Sequence, residues 1–340
     1  MTDTGFYSRV RDDGRFREFV LSMDRLETIR DAMLFIRRDG LIIFSEGYCH
    51  PRDKLVGNII YAPDTAGAKR IFGLPYASVI KHKTSGNGEE TWVDYADQLE
   101  IYRRLAPEAQ AGKPVFARYK CLFDLEEMVG FVDHRRSLAA ARRLKPEIDD
   151  SMGKIAGMLG IDVGNIGCTG SMALGNLETA HDFDLVFYGT VREGWHIVDQ
   201  IYEITRDPNR QVWEYGMFWA IRFYDDWGNL ICPFFSYLDP GEIPLPAFEM
   251  KALGPDAVLT ATVADDTHTF YMPSVLGLQG ASVNGPYPVP EALVLYHGGL
   301  RGEYRRGDRI EARGTPVEVK TPERAYPAFL CTHLNQSRKL

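Results

Sequence analysis

No two cysteines in this chain lie close enough in sequence to form a C-x-x-C redox pair or a zinc knuckle. The five present, Cys49, Cys121, Cys168, Cys232 and Cys331, are odd in number and widely scattered. That pattern argues against a disulfide framework and suits a reducing compartment. Also missing is any apolar run approaching the roughly 20 residues that a bilayer-spanning helix needs. The N-terminal stretch MTDTGFYSRVRDDGRFREF is polar and mixed in charge, unlike the basic-then-apolar plan of a secretory leader. No membrane association and a cytoplasmic location are therefore expected. A basic excess is lacking too. Lys and Arg number 39 against 47 Asp and Glu, a formal charge of −8, so duplex DNA is not the expected partner. His268, His297 and His333 have no metal-binding spacing, and no internal repeat or low-complexity tract is evident.

What is present is the composition of a globular protein with ample core: 340 residues, 45% hydrophobic and 25% charged. The expected fold class is α+β. Residues 1–18 resemble a mobile or late-docking arm. Residues 19–123 form an α+β N-terminal domain, with strands at 40–51, 54–63 and 113–123 and a helix at 92–105. Residues 124–240 form a central domain. There helices are expected at 124–144, at 145–161 with Pro146 in the first turn, and at 192–205 with an apolar stripe of Trp195, Val198, Ile201, Tyr202 and Thr205. Two strands within 217–239 are joined at DDWGN, whose Asp and Gly suit a hairpin loop. After the Pro-rich stretch 239–248, residues 241–340 have the close strand spacing of a small β-barrel, and an oligonucleotide-binding-type barrel fits that rhythm.

The stretch IGCTGSMALGNLETAHDFDLVFYG, 166–189, carries the chemistry. A short strand ends at Gly167. Thr169-Gly170-Ser171 then turns into a short helix running to Leu177, and a strand begins at Asp182. Glycine lets the backbone turn tightly and approach a ligand. Ser171 opens a helix, where a hydroxyl and free N–H groups can meet a phosphate. Period-two alternation puts Asp182 and Asp184 on one face and Phe183 and Leu185 on the other. Two carboxylates about 7 Å apart repel unless a cation lies between them, and Mg²⁺ favours such oxygen donors together with phosphates.

The Gly-Ser pair followed by HDFDLVFYG resembles the signature of the polymerase-β-type nucleotidyltransferase superfamily. More narrowly, GCTGSMALGN…DFDLVFYG, with DGLIIFSEGYCHP upstream and GDRIEARG downstream, is similar to a group of predicted archaeal nucleotidyltransferases of unassigned acceptor. The resemblance implies a nucleotidyltransferase-like mixed sheet with helices in residues 124–240. It implies phosphate contacts from Gly170 and Ser171, and ligation of Mg²⁺ or Mn²⁺ by Asp182 and Asp184 as the catalytic carboxylates. The implied reaction moves a nucleoside monophosphate from a nucleoside triphosphate to an RNA end, a protein hydroxyl or a small molecule, with release of pyrophosphate. The superfamily usually takes a third carboxylate from a later strand. Here NLICPFFSYLD offers Cys232, Pro233 and Ser236 but no acid inside it. Asp225, Asp226, Asp239 and Glu214 are the acids near enough in sequence to substitute.

Other readings remain beside this one. A chain lacking the third acid can be a catalytically impaired fold that binds nucleotide or scaffolds a partner. A glycosyltransferase DxD motif fits poorly, because that class places several parallel strands before the motif. His181 is a candidate phosphate contact, and Lys154, Arg192 and Arg222 are candidate triphosphate contacts; each has an ordinary surface role as its alternative. Cys168 reads as a small buried filler and His50 as a turn residue. RRGDRIEAR reads as a barrel rim that could face an acceptor.

Overall fold

Alternation decides how the N-terminal strands are used. Leu34 and Ile36 enter one apolar cluster while Met33 and Phe35 enter another, and Ile60 and Ile59 divide the same way. A sheet buried on both faces results, in a computed structural model that describes residues 5–10, 13–83, 90–92, 95–177, 182–214, 217–332 and 336–340. Its strands run in the order Lys69–Ile71, Leu74–Ser78, Lys54–Pro63, Ile42–Ser45, Leu34–Arg37 and Met128–Val132, and Cys121–Asp124 also pairs with Lys54–Pro63. The helix Tyr95–Leu105 covers one face through Tyr102.

Three expectations need correcting here. Residues 113–123 are not one strand: a 3-10 turn at Val115–Ala117 follows Pro114, and pairing starts only at Cys121. Residues 124–144 are not one helix. Met128–Val132 is a strand beside Leu34–Arg37, and Asp133 caps the helix His134–Leu144 by accepting from Arg136 N. The helix expected at 92–105 starts only at Tyr95, because Glu90–Trp92 is a strand paired with Lys81–Lys83. Within the arm at 1–18, Phe6, Val10 and Phe16 are buried in the main core.

The central sheet has five strands in the order Ile166–Cys168, Asp182–Gly189, Leu230–Tyr237, Met217–Tyr224 and Gln211–Glu214. One pair is parallel and the rest are antiparallel, so the sheet is mixed, and helices with strands throughout make the chain mixed α/β. Helix Pro146–Leu159 begins with proline at its first turn and ends on Gly160 in the left-handed region; it buries Ile148, Met152, Ile155 and Leu159 along one stripe. Helix Val191–Ile204 opens with a Thr190–Glu193 capping box and buries Val191, Ile197, Val198 and Ile201. Phe183, Leu185 and Phe187 share a core with these helices. That leaves Asp182 and Asp184 on the opposite face.

In the C-terminal part, Ala257–His268, Ser274–Val283, Ala292–Leu295, Ala325–Cys331 and Arg309–Lys320 pair in a ring that closes on the first strand. Closure removes the open edges, and Leu259, Leu276, Leu293, Ile310 and Phe329 fill the interior. The ring docks on helix Val191–Ile204. The Arg305 guanidinium lies 4.5 Å from the Trp195 ring and 4.7 Å from that of Tyr202, Tyr202 donates to Gly302 O at 2.8 Å, and Phe270 and Tyr271 enter the main core.

Candidate metal centre

Strand register builds the site. Parallel pairing sets Asp182 beside Leu230 and Asp184 beside Cys232. Antiparallel pairing sets Tyr224 beside Leu230 and Phe223 beside Ile231, which places Arg222 next to Cys232. Residues in register share a face. Two rows therefore cross the sheet, with Asp182, Leu230 and Tyr224 at the rim and Asp184, Cys232 and Arg222 one step inward. Asp182 is exposed, Asp184 half-buried and Cys232 buried. One donor atom from each of Asp182, Asp184 and Cys232 lies within 4.8 Å of the others, and the Cys232 thiol donates to Asp182 Oδ1 at 3.5 Å.

The Gly170 turn is pressed against this row. Thr169 N donates to Asp184 O at 2.9 Å, which ties the turn to the strand, and Thr169 Oγ1 donates to Ala32 O at 2.5 Å. Gly170 has φ +64, and a Cβ there would overlap the Asp184 carboxylate. Glycine is required twice over, for the backbone angle and for the space. Ser171 follows half-buried in the single helical turn Gly170–Ala173. That turn is shorter than expected, because Gly175 at φ +77 bends the chain away before Leu177. Arg15 donates to Gly175 O at 2.9 Å and Lys145 donates to Leu177 O at 2.6 Å, holding the loop down.

Charge at the site is unevenly matched. Arg222 donates to Glu214 at 2.7 Å and stacks 3.8 Å from the Trp219 ring. Burial opposes its charge, but Cys232, Glu214, Asp184 and Asp182 together outweigh burial and raise its pKa. Glu214, Asp184 and Asp182 thus all act on the one Arg222 guanidinium. Burial pushes the Cys232 thiol well above its usual range; Arg222 opposes that and Asp184 and Asp182 add to it.

Compared with models of protein families, with curated proteins and with solved structures, the chain matches none.

The structure brings Gly170, Asp182, Asp184 and Arg222 together and leaves other candidates elsewhere. Lys154 lies 4.9 Å from the Trp227 ring, and Arg192 is exposed in the first turn of its helix. Asp225 is buried and accepts from Trp227 N and Asn229 N, so it shapes the hairpin. Asp226 pairs with Arg210 at 3.0 Å, and Asp239 accepts from Gly241 N. Glu214 is tied to the cluster by its bond from Arg222. His181 and His333 fall outside the described residues. His50 lies in the loop before Lys54–Pro63 and accepts from Val56 N, and buried Cys168 has its thiol pushed up to about 12 by burial. Two concavities, of about 300 Å³ beside Lys54 and Glu108 and about 490 Å³ beside Arg30 and Asp133, are lined by no residue of the cluster.

Sequence reasoning noted Cys232 only as a residue that was not an acid. Its position beside Asp184 follows from the parallel register, which counting along one strand cannot supply.

Proposed function

We propose that the protein is a Mg²⁺- or Mn²⁺-dependent nucleotidyltransferase that moves a nucleoside monophosphate from a nucleoside triphosphate to a hydroxyl acceptor and releases pyrophosphate. In this reading residues 124–240 are the transferase unit, flanked by 19–123 and 241–340 in a cytoplasmic protein. One observation carries it: the Gly170 turn lies directly against the Asp184 carboxylate, with Asp182 beside it on the same face. Asp182 and Asp184 would ligate the cation, whose charge would screen the triphosphate and favour attack by the acceptor oxygen on the α-phosphorus. Gly170 gives the Asp184 carboxylate room against the turn, and Ser171 would offer a hydroxyl to the phosphates. The acceptor is an RNA end, a protein hydroxyl or a small molecule.

The test is transfer of label from an α-phosphate-labelled triphosphate in Mg²⁺ or Mn²⁺. Asp182→Asn and Asp184→Asn are each expected to lower the rate by about a hundredfold or more, since each removes charge facing the transferred group. Unchanged transfer in either variant would sink the assignment.

Cys232 favours a second reading, a nucleotide-binding or scaffolding module without turnover. It occupies the position beside Asp184 where a third carboxylate would complete a two-metal site, and its thiol is held neutral by burial. Aspartate-dependent triphosphate binding with no labelled product in any acceptor pool would select this reading.

A further inference from the structure

Arg301, in the C-terminal part of the chain, is only 5% exposed, and its Nη1 has no hydrogen-bond partner. Its Nε donates to Gly298 O at 3.0 Å, while the nearest carboxylate oxygen, Asp31 Oδ2, is 4.0 Å from Nη1. The guanidinium lies 4.4 Å from the ring of Phe234, two residues beyond Cys232 on the same face of the same strand. Arg301 therefore overlies the row immediately inward of Asp184, Cys232 and Arg222. Burial lowers its pKa, Asp31 works against that, and the nearby Arg222 charge lowers it further. Two arginines repelling each other on a buried face, one with an idle N–H group, form an arrangement that an anion between them would relieve.

We propose that Arg301 and Arg222 form an anion site for the outer phosphates of the substrate, the pair released as pyrophosphate. The identity of the anion rests on the nucleotidyltransferase reading; the anion contact itself does not. Arg222, half-buried between the carboxylates and Arg301, would meet the phosphate nearer the cation, and the Nη1 of Arg301 would meet the one beyond it. Asp31 competes for Arg301, because its carboxylate faces the same Nη1. The C-terminal barrel then supplies a substrate-binding side chain as well as a docking surface.

Calorimetric titration of the full-length protein with inorganic pyrophosphate, and separately with Mg²⁺ and a non-hydrolysable triphosphate, tests the site. R301Q is expected to weaken pyrophosphate binding by about tenfold or more, the loss of a charge-assisted hydrogen bond, and R301K to recover part of it. D31N removes the competing carboxylate and is expected to strengthen it. Pyrophosphate binding unchanged in folded R301Q overturns the proposal. Should R301Q fail to fold, unchanged or weaker binding by D31N overturns it instead. A wild-type protein that binds neither pyrophosphate nor triphosphate also overturns it. Pyrophosphate binding that depends on Arg301, without labelled transfer and without any effect of D182N on triphosphate binding, upholds the anion site and defeats the transferase reading.

Discussion

At Gly170 the backbone must enter the left-handed region and the carboxylate of Asp184 must fit where a side chain would be. Gly170→Ala is expected to cost about 1–3 kcal/mol in backbone strain and displaced contacts. It should also abolish Mn²⁺ binding, because Asp184 has to move. A urea melt and a Mn²⁺ titration read the two effects, and wild-type cation affinity in this variant would contradict the placement. Cys232 supports an opposite experiment. Cys232→Asp puts a third carboxylate beside Asp184 and is expected to tighten divalent-cation binding while lowering stability in chelator, where three like charges repel. No change in cation affinity would mean that this position lies outside the cation's reach.

The Asp182–Gly189 strand is exposed at its first residue and buried from Leu185 onward, since helices cover one face throughout and the opposite face closes over inward of the two acids. This gradient explains how one strand can begin as a ligand-bearing rim and end as core. Helix Val191–Ile204, which follows directly, holds the strand on one side and the barrel on the other through Trp195 and Tyr202. Its capping box satisfies Thr190 N and Glu193 N reciprocally. Thr190→Ala is expected to cost about 1 kcal/mol, measured as a lower unfolding midpoint with transfer activity per folded molecule unchanged. The error at 124–144 also belongs to this scale. MVGFV is short and apolar enough to continue a helix, and it becomes a strand because Leu34–Arg37 offers it an unpaired edge.

Across the whole molecule, one apolar cluster joins the arm, the first sheet, the central helices and Phe270 and Tyr271. Unfolding any of these parts exposes surface belonging to the others. His134 lies within that arrangement, 1% exposed, its Nδ1 sharing a hydrogen bond of 2.8 Å with the Tyr188 hydroxyl. Burial lowers its pKa from 6.5 to about 4. A depressed value means that the native state resists protonation. The stabilisation is therefore complete above about pH 6.5 and is lost as pH falls through about 4. The drop amounts to roughly 3 kcal/mol at about 1.4 kcal/mol per unit. Chemical unfolding at pH 7 and pH 4.5 should reveal it, and His134→Gln should lose less stability between the two; an equal loss would assign the acid sensitivity to other groups.

By itself the sequence determined the local features: the glycine turn, the paired aspartates on one strand face, the proline-led and amphipathic helices of the central part and the closely spaced C-terminal strands. Each depends on a residue's conformational range or on a period of two or 3.6, both readable within a few positions. Only the tertiary structure decided that Asp184 faces Cys232 and Arg222, that Glu214 reaches the cluster through an arginine, and that Arg301 lies over Phe234. Those neighbours come from the register of strands distant in the chain and from the docking of a barrel, which long-range packing fixes and no local pattern encodes.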